Sequence, residues 1–135
     1  MKIRVVSSKD EIKSLEPSEK YIHLAFRPSN TDIFSLVQTC PDVKAIQVPT
    51  SYIKKVSLSN MMLLDMKGIA LLEGDVCGHR TEINEYYEIK PELFDQMKEL
   101  KKEGLSEADI LKKLGRETRL SNDLLKFLLK GKSET

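Results

Sequence analysis

Four short apolar runs recur through the first half of the chain, and their spacing narrows the possible folds more than any other feature. IRVVSSK at residues 3–9, LAFRPSN at 24–30, AIQVPTS at 45–51 and ALLEGDV at 70–76 begin 21, 21 and 25 residues apart. Each is long enough for one strand and passes into small or polar residues; the first three then lead into helix-like spacing. Strand, crossover and next strand at this interval is the pattern of successive β-α units, whose right-handed crossovers leave the strands parallel. The crossovers carry their own signals. Ser8 with Glu11 three residues on has capping-box spacing. Ile33, Phe34, Leu36 and Val37 repeat helically until Pro41 stops them. Tyr52, Ile53, Val56, Leu63, Leu64 and Met66 read as one helix from Thr50 or Ser51, closed by Gly68.

Alternation along the strands assigns Ile3, Val5, Ile22, Leu24, Phe26, Ile46 and Val48 to one apolar face, and Arg4, His23, Arg27 and Gln47 to the other. A parallel sheet needs cover on both faces. The mixed face is therefore expected either beneath C-terminal helices or partly open, as in a leucine-rich-repeat arc. The expected class is α/β: about four parallel strands over residues 1–85, as a small open sheet rather than a true solenoid, followed by a helical segment over residues 86–135.

Between residues 74 and 90 the periodicity fails, and a polar stretch with Gly78, Tyr86 and Tyr87 reads as a junction, either a loop or a short extra element. Pro91 then suits a first helical position, and Leu93, Phe94, Met97 and Leu100 form one stripe ending at Gly104. Ser106, with Asp109 three residues later, opens a second helix through Ile110, Leu111 and Leu114, expected to end at Gly115. A third runs from Leu120 or Ser121 through Leu124, Leu125, Leu128 and Leu129 to Gly131.

With 135 residues, 40% hydrophobic and 32% charged, the chain can bury one core plus a small satellite, which excludes a large multidomain enzyme. The apolar stretches at 61–64 and 69–72 are parted by Asp65 and Lys67 and are too short to cross a bilayer. Met1, Lys2 and Ile3 pass straight into a strand pattern with no cleavable apolar leader, and Cys40 and Cys77 are too few for a disulfide framework. A cytoplasmic location is the expectation. The net charge of +1 predicts no polyanionic partner, but its distribution does: residues 111–132 hold seven basic and two acidic side chains, +5, leaving −4 elsewhere. The plainer account of that asymmetry is a solvated basic helix face.

Residues 105–129, LSEADILKKLGRETRLSNDLLKFLL, resemble helix-turn-helix DNA-binding segments, through Gly115 as turn glycine and the spacing of Ile110, Leu114 and Leu124. The sequence departs from that pattern at Leu111, where a small residue usually stands, and in the wide wrap of leucines on the last helix. The resemblance implies that Arg116, Arg119 and Asn122 approach base edges and phosphates while Lys112, Lys126 and Lys130 neutralise phosphates. The alternative is a basic surface on a structural helical cap. Separately, HLAFRPSN (23–30), CPDVKAIQVP (40–49) and LLEGDVCGHR (71–80) are similar to a small family of uncharacterised proteins of methanogenic archaea, a domain of unknown function. That likeness implies a cytoplasmic archaeal protein and assigns no chemistry.

Open parallel sheets bind ligands at the carboxyl ends of their strands. Those ends hold Ser7, Ser8, Arg27, Ser29, Asn30, Thr50, Ser51, Glu73 and Asp75. A small anion beside Ser8, Arg27, Ser29, Asn30 and Thr50 is the ligand expectation; the plainer one is that Ser8, Asn30 and Thr50 cap helices and Arg27 pairs at the surface. Cys77 and His79 are one residue apart, unlike familiar zinc pairs, and Cys40 and His23 would have to converge from elsewhere, so neither a metal nor a cofactor is expected. No orienting group supports Cys77 and His79 as a catalytic pair. The reading is a DNA-binding transcriptional regulator, expected as a homodimer, whose α/β unit senses a small anion or mediates dimerisation. The alternative is a small-anion-binding or protein-interaction module with structural C-terminal helices; a transferase or hydrolase at the strand ends is a third possibility.

Overall fold

The four apolar runs form the strands β1 (Lys2–Val6), β2 (Tyr21–Leu24), β3 (Ala45–Val48) and β4 (Ala70–Glu73) in the computed structural model, which describes residues 2–75, 86–118 and 120–131. They pair in parallel in the order β4-β3-β2-β1. A fifth strand, β5 (Tyr86–Glu88), adds antiparallel on the far side of β1. It is the short extra element allowed for at the junction, and it takes the sheet three residues past the boundary expected at 85.

Because each crossover steps to the next position in the same direction, right-handed connections put all of them on one face. The first crossover is a 3-10 helix, Lys9–Ser14, rather than an α-helix. Pro17 drives Glu16 away from helical backbone, leaving room for little more than one turn. The second is α1 (Asn30–Thr39), which ends before Pro41 as expected. The third is two helices, α2 (Thr50–Ile53) and α3 (Leu58–Met66), not the single one read from the apolar spacing. Ser57 interrupts it: its backbone is extended and its hydroxyl accepts the Asn60 N–H at 3.1 Å, so the helix restarts there. Gly68, at φ +71°, closes α3. Ile12, Ile33, Leu36 and Leu64 from these helices meet Val6, Ile22, Leu24, Ile46 and Val48 in one core.

The register corrects the expected faces at β1. Arg4 pairs with Ile22, and Val5 with His23, so Ile3 and Val5 share the side of His23 and Gln47, while Arg4 and Val6 share the apolar side. Alternation fixes which residues of a strand go together but not how neighbouring strands are phased. Arg4 is accommodated by β5: its guanidinium lies 5.6 Å from the Tyr86 ring centroid, and the Tyr86 hydroxyl donates to Glu19 at 2.6 Å.

The second face is covered by α4 (Pro91–Lys102), α5 (Glu107–Thr118) and α6 (Asn122–Gly131). Pro91 opens α4, and Gly104, at φ +85°, follows its end. Met97, Ile110, Leu114 and Leu125 pack with Ile3, Ala45 and Leu72, so helical segment and sheet share a core.

Candidate nucleic-acid interface

α5 opens as its sequence suggests, the Ser106 hydroxyl accepting the Asp109 N–H at 3.2 Å. It does not end at Gly115 but continues to Thr118, whose hydroxyl donates to the Leu114 carbonyl at 2.6 Å and accepts the Leu120 N–H. The turn between the two helices therefore lies after Thr118, and Gly115 is an ordinary helical residue whose missing Cβ leaves space beside Leu125. Burial of Ile110, Leu111 and Leu114 across a continuous apolar stripe outweighs a helix cost of about 1 kcal/mol for one glycine.

The wide wrap of leucines on α6 is real: Leu124, Leu125, Leu128 and Leu129 are all buried. A polar stripe survives beside them. Asn122, Lys126 and Lys130, four residues apart, are exposed, as are Lys112, Lys113 and Arg116 on α5. Lys112, Asn122 and Lys126 line one groove between the helices, floored by Ala108 and Leu111 and bordered by Glu107. Arg116 and Lys130 do not line it, and Arg119 lies outside the described residues.

The start of α6 is pinned to the sheet. Ser121 is its N-cap, accepting the Leu124 N–H at 3.1 Å, and the same hydroxyl accepts a hydrogen bond from Gln47 Nε2 at 3.0 Å. The Gln47 side-chain carbonyl accepts from His23 Nδ1 at 2.9 Å, so a buried chain of polar groups runs from β2 through β3 to the helix. Asp123 accepts the Glu73 backbone N–H at 2.9 Å. Gly74 makes this approach possible: a methyl there would overlap the Ser121 side chain and come within 2.6 Å of Gln47 Nε2. None of Gln47, Gly74 and Ser121 carries a distinctive sequence signal, though a glycine directly after a strand is a hint of close backbone approach.

At the strand ends, the expected anion positions are filled largely by the chain itself. The Ser7 and Ser8 N–H groups both donate to the Glu11 carboxylate at 2.8 Å, and the Ser29 N–H donates to Asp32 at 2.9 Å while Asp32 N–H returns to the Ser29 hydroxyl. Ser8 is the cap that the plainer reading expects, whereas the second helix is capped by Ser29 rather than Asn30 and the third begins at Thr50 with Pro49 at its N-cap. The Asn30 backbone and side-chain carbonyls accept from Asn60 at 3.2 Å, tying α1 to α3. Arg27 and Thr50 are exposed, Thr50 in a cleft with Glu73, Asp75 and Asp123 whose carboxylates favour no anion. Cys40 is buried, donating to the Glu16 carbonyl at 3.4 Å; burial first, and the Glu19 carboxylate second, push its thiol up to about 11. Cys77 and His79 lie outside the described residues.

Residues 2–85 match the model of a family of unknown function, DUF1699, N-terminal domain, and residues 92–130 match the DUF1699 C-terminal HTH domain. The chain belongs to the DUF1699 family. In DUF1699 terms the four parallel strands with their crossovers fall in the N-terminal domain and α4–α6 in the helix-turn-helix domain, with β5 between the two matches. No curated protein and no solved structure matches the chain. Among the described residues, no helix is long and apolar enough to cross a membrane.

Proposed function

We propose that the protein is a DNA-binding regulator that engages a duplex through its C-terminal helix-turn-helix domain. The observation that carries this reading is the exposed stripe Asn122, Lys126 and Lys130 on the domain's last helix, with Lys112 across the groove. A structural cap needs its leucine face and nothing more; a cationic stripe beside a hydrogen-bonding asparagine matches a phosphate backbone with a base edge within reach. The pinned N-terminus of α6 shapes the mode of binding. Helix-turn-helix proteins read bases with the start of the second helix, yet here Ser121 and Asp123 are held by Gln47 and the Glu73 amide, leaving Asn122 as the base-reading side chain of the first turn. Phosphate contacts from Lys112, Arg116, Lys126 and Lys130 then supply most of the affinity.

That same pinning favours a second reading, an interaction module whose helices complete the fold and touch no nucleic acid. Fluorescence anisotropy with labelled genomic fragments between 50 and 200 mM salt separates the two. For DNA binding, affinity falls about tenfold for each tenfold rise in salt per phosphate neutralised. A Lys112→Ala, Arg116→Ala, Lys126→Ala triple variant with an unchanged melting curve then loses about three units of that log–log slope. Absence of binding by the parent chain at 50 mM salt leaves the second reading.

A further inference from the structure

α3 carries an apolar stripe that the fold does not use. Leu58, Met61, Met62 and Met66 stand at helical spacing on its outer side, and Phe34, one turn after Asn30 on α1, is exposed as well; α1 packs alongside α3 through the Asn30–Asn60 hydrogen bonds. Phe34, Leu58, Met61, Met62 and Met66 expose 49, 73, 38, 58 and 83% of their surfaces. The single long helix expected from sequence counted Met66 among its apolar residues; in the structure Leu64 carries the burial and Met66 points to solvent. At about 200 Å² for a side chain of this size, the five together present roughly 600 Å² of apolar surface, the upper end of what a monomer tolerates.

We infer that this face is the interface of a two-fold homodimer in which α3 packs antiparallel against the α3 of a second copy. Three observations select that occupant. Two such patches would bury roughly 1,200 Å², the threshold of a stable interface, before any polar rim is counted. A two-fold axis near Met62 brings Leu58 of each copy, 73% exposed, against Met66 of the other, 83% exposed, so the most exposed side chains cover each other. The charges also match: Asp65, exposed near the C-terminal end of α3, falls at the N-terminus of the opposing helix, the positive end of its dipole, close to the exposed Lys54 and Lys55. A flexible thioether surface suits this kind of self-packing.

The position of α3 in the fold sets what the dimer does. α1 and α3 cover one face of the sheet and α4–α6 the other. Pairing through α3 therefore places the two helix-turn-helix domains on opposite outer sides of the assembly. They cannot meet adjacent half-sites on one side of a duplex; each copy holds a separate DNA segment, and the dimer bridges them. This second step rests on the DNA-binding reading, whereas the dimer itself does not.

Sedimentation velocity of the full chain without DNA tests the interface. The parent is expected at twice the 15.4 kDa of one chain in the micromolar range. Met62→Glu, which places two carboxylates at the axis, should run as a monomer with an unchanged circular-dichroism spectrum. Asp65→Lys should weaken the dimer about tenfold or more, and combining it with Lys54→Glu and Lys55→Glu should restore it. A monomeric parent at 50 μM, or a dimer that persists in Met62→Glu, overturns the inference. Bridging is then read as capture of a free labelled duplex by a bead-bound one. It is expected with the parent and lost with Met62→Glu, while single-duplex affinity measured with excess DNA is retained. Dimers that bind single duplexes without capturing a second overturn the bridging step, and dimers that bind no duplex at all defeat the DNA-binding reading and leave the interface standing.

Discussion

On one face of the sheet the covering helices are the crossovers themselves, tied at both ends to the strands they pack on. On the other face, α4–α6 arrive after the last strand and dock as a group. The first face is closed almost entirely by apolar contact, with carboxylates capping their own helices at Ser8 and Ser29. The second adds a buried polar chain, His23 to Gln47 to Ser121, and a glycine, Gly74, cut to fit. Connectivity alone places a crossover against its sheet. A late-arriving group needs something that fixes position as well as contact, and directional hydrogen bonds to the first turn of α6 supply it. Orientation of the cationic stripe thus depends on the sheet's polar residues, not only on the leucines beneath it.

The strongest way to break this contrast is at Gly74. Gly74→Val forces the Ser121 and Gln47 side chains apart and should cost about 3 kcal/mol or more, read as a fall in the urea midpoint; a loss below about 1 kcal/mol would mean that α6 is not seated there. On the opposite face, Cys40 gives an effect that is chiefly one of local burial, with the Glu19 carboxylate adding to it. Its thiol is raised from 9.0 to about 11 in the fold, so its contribution is complete below pH 9 and is lost as pH rises through 11. Over that window the parent should lose about 2 kcal/mol relative to Cys40→Ala. Parallel pH profiles for the two chains would show that the thiol is not held as described.

Gln47→Leu removes both hydrogen bonds of the polar chain at nearly constant volume and should cost about 1–2 kcal/mol. Amide exchange should reveal loosening concentrated in α6 rather than spread over the sheet; uniform loosening would assign Gln47 a general packing role instead. The smallest effect runs the other way. A Cβ on Gly115 would meet only Leu125 Cδ1, at 3.9 Å, so Gly115→Ala should stabilise by about 0.5–1 kcal/mol if α5 is helical through this point. Destabilisation would restore Gly115 as the turn.

The strand-helix repeat was readable because local periodicity and crossover length speak to it directly. The same holds for the caps at Ser8 and Ser106, and for the ends of α1 and α4. What local pattern cannot encode is phase between neighbours, which is why Arg4 was placed on the wrong side of β1, and why a helix interrupted at Ser57 read as continuous. Gly115 misled for a related reason: glycine permits a turn but does not compel one when apolar residues on both sides can be buried. At the candidate site, the exposed lysines of α5 and α6 followed from helical spacing, whereas Gln47 and Gly74 became part of it only through contacts made 74 and 47 residues along the chain, to Ser121. Of the stripe on α3 only Met66 stood among the apolar residues read from the spacing, since a sequence does not say which of two apolar sides the core will take.

The bond from Glu73 to Asp123 has a consequence beyond docking. β4 is the outermost strand on its side, and its even-numbered amides, Ala70 and Gly74, point inward to Lys44 and Val48 of the chain leading through β3. The Glu73 N–H therefore points outward, where a foreign strand would otherwise find a donor, and the Asp123 carboxylate occupies it. The helix that carries the lysine stripe is also the guard on the sheet's open margin. Variants that release it are expected to appear first as insoluble, strand-joined assemblies rather than as soluble chains with a dangling tail, so selection for solubility alone would keep the stripe in its place.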